Sequence, residues 1–265
     1  MPSKRYDAAA LQAPSLALLA TEPLRALLDF CAAKLSPQAH CAGDGHPVIV
    51  YPGLGAGAFS TLHLRNALRD CGYDVHDWGF GLNRGPDGPL DEWLPQLAAR
   101  VHELHLRHGR QVSLVGWSLG GVYAREVAKL CPGIVRQVVT LGTPFGAMGD
   151  ANHAGTIFRL LGGDTSQLTP QLQARLRECP PVPTTSVYSK SDGVVCWRGC
   201  LQDEGECVQN IEVNASHLGM GAHPEVLRIV ADRLALAQGQ WRPYRARPKL
   251  KAAIARRRSA RSRAR

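Results

Sequence analysis

The sequence of 265 residues contains no apolar stretch that approaches the length of a membrane-spanning helix, which requires about 20 consecutive apolar residues. It also lacks the pattern of a secretory signal. Lys4 and Arg5 provide a basic start, but Asp7 and Pro14 interrupt the apolar residues after them, and no clear cleavage site comes before Glu22. These absences argue against a transmembrane segment and predict a cytoplasmic protein.

Acidic residues are missing from the last part of the chain. Residues 242–265 contain eleven arginines and lysines and no aspartate or glutamate. The other 20 basic and 22 acidic residues nearly balance, so the net charge of +9 belongs to this tail. A segment so charged and so poor in aromatic residues is expected to be disordered. Its charge leaves open a weak contact with nucleic acid or with an anionic membrane, and therefore a membrane-peripheral location.

Spacings typical of metal sites are also missing. The eight cysteines are scattered, and in a reducing cytosol we expect most of them to be small core residues. Cys196, Cys200 and Cys207 would need His217 as a fourth zinc ligand, and a disulfide between two of these cysteines is left open. The sequence therefore predicts no metal.

Two further patterns differ from cofactor and zinc-protease motifs. His102, His105 and His108 do not have the spacing of four residues that zinc proteases require. The glycines of segment 53–57 are spaced Gly-x-Gly-x-Gly, which is not the dinucleotide-binding pattern. We therefore expect the three histidines to lie on a polar helix flank and the glycines to form a backbone turn. The sequence predicts no cofactor.

Segments typical of strands and helices alternate along residues 46–237. Six short apolar segments have the composition of buried strands, and helical patterns separate them. The predicted strands are residues 47–51, 73–78, 111–115, 135–141, 184–189 and 210–213. This alternation predicts an α/β fold with a mainly parallel sheet of about six strands and helices on both faces.

Three segments lie outside this alternation. Residues 1–40 predict an N-terminal helical extension that docks on the outside of the domain, with several leucines on one face. Residues 145–183 contain two apolar clusters but no strand, which predicts a small helical cover segment above the site, although an ordinary surface insertion is left open. Residues 242–265 form the basic tail.

A serine stands between a predicted strand and a predicted helix, in the segment Gly116-Trp117-Ser118-Leu119-Gly120-Gly121. Glycines two residues before and after Ser118 allow a sharp turn that projects the hydroxyl from the sheet edge. The motif alone is weak, but its position after a strand and before a helix is the context that it requires. The pattern predicts an acyl-transferring nucleophile at Ser118.

A serine nucleophile needs a histidine as base and an acid that orients the histidine. His217 follows the last predicted strand and therefore lies at the same sheet edge as Ser118, whereas His223 precedes Pro224 and is typical of a helix cap. Asp192 follows the strand 184–189 closely. The other nearby acids belong to a polar loop and are expected to be solvated; they are Asp203, Glu204 and Glu206.

The order Ser118, Asp192, His217 resembles the α/β-hydrolase superfamily, and the chain is most similar to its bacterial lipase and esterase branch. The turn Tyr51-Pro52-Gly53-Leu54-Gly55 and the segment Leu141-Gly142-Thr143-Pro144 also resemble lipase patterns. The resemblance implies oxyanion donors at the backbone N–H groups of Leu54 and Leu119. The chain has Pro52 where many lipases have histidine, and it lacks the antiparallel strands that often begin the fold, which implies a smaller sheet.

These observations predict a serine hydrolase that cleaves carboxylic esters through an acyl-enzyme on Ser118. The expected substrates are small-molecule or lipid esters. Two alternatives are left open because the sequence does not identify the acyl acceptor. One is an acyltransferase or thioesterase on the same scaffold, and the other is a catalytically silent binding protein.

Overall fold

A parallel sheet of six strands forms the centre of the chain. The computed structural model describes residues 11–35, 42–148, 152–153 and 168–246. The strands are β1 (Pro47–Tyr51), β2 (Asp74–Asp77), β3 (Val112–Trp117), β4 (Val135–Leu141), β5 (Thr184–Ser189) and β6 (Val208–Val213). They lie in the order β2-β1-β3-β4-β5-β6, and each neighbouring pair is parallel. The predicted mainly parallel, six-stranded sheet is therefore confirmed.

Helices cover both faces of the sheet, as predicted. They are α1 (Leu16–Leu35), α2 (Leu62–Asp70), α3 (Leu90–His108), α4 (Leu119–Leu130), α5 (Pro170–Arg177) and α6 (Pro224–Leu234). The side chains of β1 alternate between two core layers because successive strand residues point to opposite faces. Val48 and Val50 pack in the layer with α2 and α6, whereas Ile49 and Tyr51 pack in the layer with α3 and α4.

The strand order places a crevice between β1 and β3. The chain passes from β1 to β2 on one side, and then to β3 on the other side of β1. In open parallel sheets, the loops that leave the carboxyl ends of two such strands diverge and leave a binding site between them. The glycine-rich turn after β1 and the serine turn after β3 both lie at this point.

The N-terminal extension contains one helix, α1, of 20 residues in the described range. Leucines that the sequence places on one face are mostly exposed, with exposed fractions of 62% for Leu24, 58% for Leu27 and 87% for Leu35. The buried residue of the helix is Glu22, which is 1% exposed. The helix therefore docks in part through a polar side chain, because Glu22 meets backbone N–H groups of two loops. Leu19 adds an apolar contact with the cluster of Val194, Val195 and Cys200.

Parts of the predicted cover segment and basic tail lie outside the described residues. Of the cover segment, the structure describes residues 145–148, 152–153 and 168–183, and α5 lies in the last of these ranges. Its Arg175 contacts Glu126 of α4, which attaches α5 to the helix that begins after Ser118. None of the described helices is long and apolar enough to cross a membrane.

The cysteines differ in part from the expectation. Cys196, Cys200 and Cys207 are free thiols, so the disulfide left open among them does not form. Cys131, like Cys196 and Cys200, is a buried core residue. Cys71 is disulfide-bonded, which the scattered spacing did not predict. Because disulfides are uncommon in a reducing cytosol, this bond does not support the cytoplasmic assignment.

Candidate active site

Ser118 occupies a strained turn between β3 and α4. Its backbone has φ 53° and ψ −125°, and it is the one non-glycine residue with positive φ among those that the structure describes. Such a conformation costs about 1–3 kcal/mol and persists only where surrounding contacts impose it. One such contact is the hydrogen bond of 2.8 Å from the Ser118 N–H to the Leu141 carbonyl. The turn presents the hydroxyl at the carboxyl edge of the sheet.

The glycines around Ser118 permit close backbone packing. A Cβ atom on Gly116 would lie 2.3 Å from the Cα atom of Gly121, and one on Gly120 would lie 2.5 Å from the Pro52 carbonyl oxygen. Real Cβ atoms do not approach backbone atoms this closely, because packed interiors have no room for such overlap. The start of α4 is therefore fixed against both β3 and the loop that follows β1.

The loop that follows β1 lies directly beside Ser118. A Cβ atom on Gly53 would be 3.2 Å from the Ser118 Cβ and 3.9 Å from its Oγ. Within the described ranges, neither the Leu54 N–H nor the Leu119 N–H donates a hydrogen bond to a backbone carbonyl. Leu119 is the first residue of α4, where helix N–H groups lack partners within the helix.

Asn83 holds this loop in place through hydrogen bonds of its side chain and its backbone. This role was not predicted from the sequence. The Asn83 side chain is fully buried and donates from Nδ2 to the Pro52 carbonyl at 2.8 Å. Its backbone accepts from the Gly55 N–H at 2.7 Å and donates to the Ala56 carbonyl at 2.8 Å. The only sequence signal was an asparagine near a glycine, which is typical of any turn. Asn83 therefore holds the backbone on both sides of Leu54.

Asp192 and His217 form a buried pair. The Asp192 Oδ2 lies 2.7 Å from the His217 Nδ1, and the two residues are 3% and 4% exposed. The other carboxylate oxygen accepts hydrogen bonds of 2.8 Å from the backbone N–H groups of Val194 and Val195. Because an ionised carboxylate only accepts hydrogen bonds, this arrangement suits a charged Asp192. The pair is the acid and base combination that the sequence predicts.

The pair lies close to the serine turn. The Nε1 of Trp117, the residue before Ser118, donates to the His217 carbonyl at 3.1 Å. Gly142, with φ 54°, also borders the pair, because a Cβ atom there would lie 3.1 Å from the His217 Nδ1 and 3.3 Å from the Asp192 Oδ2. Ser118 Oγ makes no hydrogen bond within the described part of the chain. Catalytic hydrogen bonds often tighten only when substrate binds.

The pKa of His217 is raised above its ordinary value of 6.5 by nearby negative charge. Burial alone lowers the pKa because it disfavours the imidazolium. The charge of Asp192, its hydrogen bond to the ring and the charge of Glu22 on α1 outweigh that effect. These carboxylates would stabilise an imidazolium that forms when the ring accepts a proton.

The competing candidates for acid and base have other roles. His223 caps α6, where its Nδ1 accepts a hydrogen bond of 3.3 Å from the Glu225 N–H. Asp203, Glu204 and Glu206 are exposed, in agreement with the expected solvated loop.

One described group of side chains brings three metal-ligand atoms together. The Asp74 Oδ2 lies 2.8 Å from the His76 Nε2 and 2.9 Å from the His108 Nε2. The His76 ring is hydrogen-bonded to this carboxylate, whereas the buried His108 Nε2 lies at ion-pair distance from it and makes no hydrogen bond among the described residues. Asp74 begins β2, so the group lies at the opposite end of the sheet from Ser118. It can take no direct part in chemistry at the serine.

Comparison with known proteins adds partial sequence matches and a similar fold. No family model matches the chain. The chain is 29% identical over 139 residues to a pimeloyl-(acyl-carrier protein) methyl ester esterase of Shewanella woodyi. This alignment covers 51% of this chain and 49% of the esterase. It is 33% identical over 113 residues to a triacylglycerol lipase of Pseudarthrobacter phenanthrenivorans. This alignment covers 39% of this chain and 34% of the lipase.

A solved structure shows the same architecture. Lipase B of Aspergillus fumigatus aligns with this chain with a TM-score of 0.58 and 18% sequence identity. The alignment covers 79% of this chain and 57% of the lipase chain. The matches to the two curated relatives span half of their length or less. The chain thus has the α/β-hydrolase fold, and the proteins to which it is similar are esterases and lipases.

Proposed function

We propose that this protein is a serine hydrolase that cleaves carboxylic esters through an acyl-enzyme on Ser118. The observation that carries the proposal is the buried pair of Asp192 and His217 beside the strained turn of Ser118. A buried, oriented imidazole next to a hydroxyl at the sheet edge is the arrangement that activates a serine. The similarity to an esterase and a lipase agrees with this chemistry.

In the proposed mechanism, the His217 Nε2 accepts the proton of Ser118 Oγ as this oxygen bonds to the ester carbonyl carbon. The resulting tetrahedral intermediate collapses, and the imidazolium returns the proton to the departing alcohol. Water then attacks the acyl-enzyme and loses a proton to His217. The second tetrahedral intermediate collapses, the bond between Ser118 Oγ and the acyl carbon breaks, and the imidazolium returns the proton to Ser118 Oγ as the acid is released. Asp192 keeps the proton on Nδ1 and stabilises the transient imidazolium.

The backbone N–H groups of Leu54 and Leu119 would bind the oxyanion of both tetrahedral intermediates. Each donor fixed before the reaction stabilises the transition state by about 3 kcal/mol. The support for this role is the position of the two groups, because Leu54 lies in the loop after β1 that borders Ser118 and Leu119 directly follows Ser118 as the first residue of α4. The side chains of these leucines are not needed for the hydrogen bonds.

The proposed acyl group is apolar. Phe59, Leu82 and Leu218 are exposed by 87%, 50% and 49%. Phe59 follows the loop that carries Leu54, and Leu218 directly follows His217. Single exposed apolar residues are common on protein surfaces, but these lie on loops that also border the candidate site. They would contact the chain of a bound ester.

The proposal also includes roles for the basic tail and the cover segment. Residues 247–265 lie outside the described residues, so weak contact of the tail with anionic lipid or nucleic acid remains a proposal based on charge. Coverage of the site by residues 145–183, of which residues 145–148, 152–153 and 168–183 are described, is also a proposal, based on the apolar clusters of this segment. The cytoplasmic location and the division into an extension, a hydrolase domain and a tail likewise stand as proposals.

A panel of p-nitrophenyl esters with increasing acyl length tests the function directly. The full-length chain should release p-nitrophenol, and Ser118→Ala should reduce turnover to the background rate. Ser113→Ala is a control because it removes a hydroxyl from β3, the strand that leads to Ser118, where the Ser113 Oγ contacts His46 at 2.8 Å instead of the site. Equal turnover in Ser118→Ala and the wild-type protein would contradict the proposal. Product analysis with added alcohol or thiol separates hydrolysis from acyl transfer.

A further inference from the structure

Helix α1 contacts both loops that carry the acid and the base. The Glu22 Oε1 accepts hydrogen bonds from the Gly193 N–H at 2.7 Å and from the His217 N–H at 3.1 Å. The Oε2 accepts from the Leu218 N–H at 3.1 Å. Gly193 directly follows Asp192, so one carboxylate joins the backbone of the acid loop to the backbone of the base loop.

A second acid of α1 supports the base loop. The Asp29 Oδ2 accepts from the Ser216 N–H at 2.9 Å and from the Ser216 Oγ at 2.6 Å. Ser216 Oγ in turn accepts from the Gly219 N–H at 3.0 Å. Asp29 lies seven residues after Glu22, which places both acids on one helix face. The base loop is therefore held by α1 at two points.

Glycines in both loops allow α1 to approach this closely. A Cβ atom on Gly193 would lie 2.5 Å from the Leu18 carbonyl oxygen of α1. A Cβ atom on Gly219 would lie 2.4 Å from the Asp29 Oδ2. Any side chain at these positions would push the helix away from the loops. The close docking of α1 thus depends on residues of the loops as well as of the helix.

An ion pair within the helix does not account for the burial of Glu22. Its cationic neighbour, Arg25, is 3.5 Å away, and the guanidinium also donates to the Ala215 carbonyl at 3.4 Å. A buried carboxylate is costly unless hydrogen bonds compensate its charge. Here three shorter, charge-assisted hydrogen bonds come from the two loops. The principal partners of Glu22 are therefore the loops of the candidate site.

We infer that Glu22 is a positioning residue, through which the N-terminal helix fixes the relative placement of Asp192 and His217. This inference rests on the proposed ester hydrolysis. Glu22 touches the backbone of the base residue and not the reacting atoms, so it acts through His217. The catalytic site then includes a helix that precedes the first strand of the sheet.

The charge of Glu22 also acts on the imidazole. The charged groups that face His217 are Asp192 from the acid loop and Glu22 from α1, with Arg25 beside Glu22. Asp29 and His223 lie further along the same surface, 3.9 Å apart. The charge of Glu22 contributes to the raised pKa of His217. Neutralising Glu22 should therefore lower the pKa of His217, so that the imidazole becomes an active base at lower pH.

Glu22→Gln in the full-length protein tests the positioning role. The amide keeps the size of the side chain but loses the charge and one acceptor oxygen. We expect kcat to fall by about tenfold or more with little change in KM, because the loss affects the transition state rather than binding. The acidic limb of the kcat/KM profile should move to lower pH. Glu103→Gln is the control, because Glu103 pairs with Arg100 and Arg107 on the exposed face of α3.

The hydrogen-bonded Nδ1 proton of His217 gives a readout that does not depend on turnover. Its low-field proton NMR signal should be present in the wild-type protein and in Glu103→Gln, and weakened or lost in Glu22→Gln and Glu22→Ala. Retention of kcat, of the pH midpoint and of this signal in Glu22→Gln would overturn the inference. A wild-type protein with the signal but no esterase activity would contradict the proposed function alone, and the NMR comparison would still test Glu22.

Discussion

The carboxylate of Asp192 lies 2.7 Å from the Nδ1 of His217, and both side chains are almost completely buried. The second carboxylate oxygen is held by two backbone N–H groups of the following loop. This arrangement favours the proton on Nδ1, and in the proposed mechanism Nε2 is then the base for Ser118. Activity should therefore depend on this pair and on the loops that hold it.

Asp192→Asn should reduce kcat strongly while the fold is retained. An amide no longer compensates the charge of an imidazolium and does not enforce the required tautomer, an effect of about 10⁴ in the best-studied triad. Steady-state hydrolysis of a p-nitrophenyl ester measures the loss. Full activity in this variant would mean that another group orients His217.

Ester hydrolysis by the wild-type protein should decline in acid with a midpoint above pH 6.5. The neutral imidazole is the active base, and the carboxylates beside it raise the pKa of His217 above 6.5. As pH falls through this raised pKa, the ring becomes protonated and activity is lost. The pH profile of kcat/KM measures the pKa in the free enzyme. A midpoint below 6.5 would be inconsistent with this environment.

Asn83→Ala should lower kcat by about 10- to 100-fold. The loss is smaller than the roughly 10²- to 10³-fold cost of removing an oxyanion donor, because the Leu54 N–H is displaced rather than deleted. Asn66→Ala provides a control, because Asn66 lies on the exposed face of α2. It contacts Arg69 at 3.0 Å and makes no hydrogen bond to the described loop that follows β1. Comparable kcat values for the two variants would exclude a role for Asn83.

Gly116→Ala should destabilise the fold by about 3 kcal/mol or more. The new methyl group would overlap the Cα of Gly121, and overpacking of a close backbone contact is not relieved by a rotamer change. Gly221→Ala is the matched control, because its nearest neighbour would be the Trp117 ring at 4.0 Å. Urea unfolding measures both free energies. Similar stability of the two variants would show that β3 and α4 are not in close backbone contact.

Periodicity and spacing were sufficient to predict the sheet. The six strands are short apolar segments separated by helices, and such segments have few arrangements other than a covered parallel sheet. The same reasoning predicts that Ser118, Asp192 and His217 lie at one edge, because each follows a strand and the carboxyl ends of parallel strands share one edge. Of the contacts within this set, the structure shows the one between Asp192 and His217.

The contributions of Glu22 and Asn83 could not be predicted in this way. Both side chains bind backbone groups of segments distant in the sequence, and no spacing rule links a helix before β1 to loops after β5 and β6. The leucines of α1 suggested an apolar docking face, but most of them are exposed, and the helix docks through two acids with a smaller apolar contact from Leu19. Local pattern identifies which residues are apolar, but it does not identify the surface that a helix covers.

Labelling with a fluorophosphonate is the most direct test of the central claim, which is that Ser118 is a nucleophile activated by His217. The full-length protein should take up one equivalent of the reagent, and mass spectrometry should locate it on the peptide that contains Ser118. His217→Ala should label far more slowly, with its fold retained by circular dichroism. A folded wild-type protein that is not labelled, or that is labelled at another residue, would contradict the account.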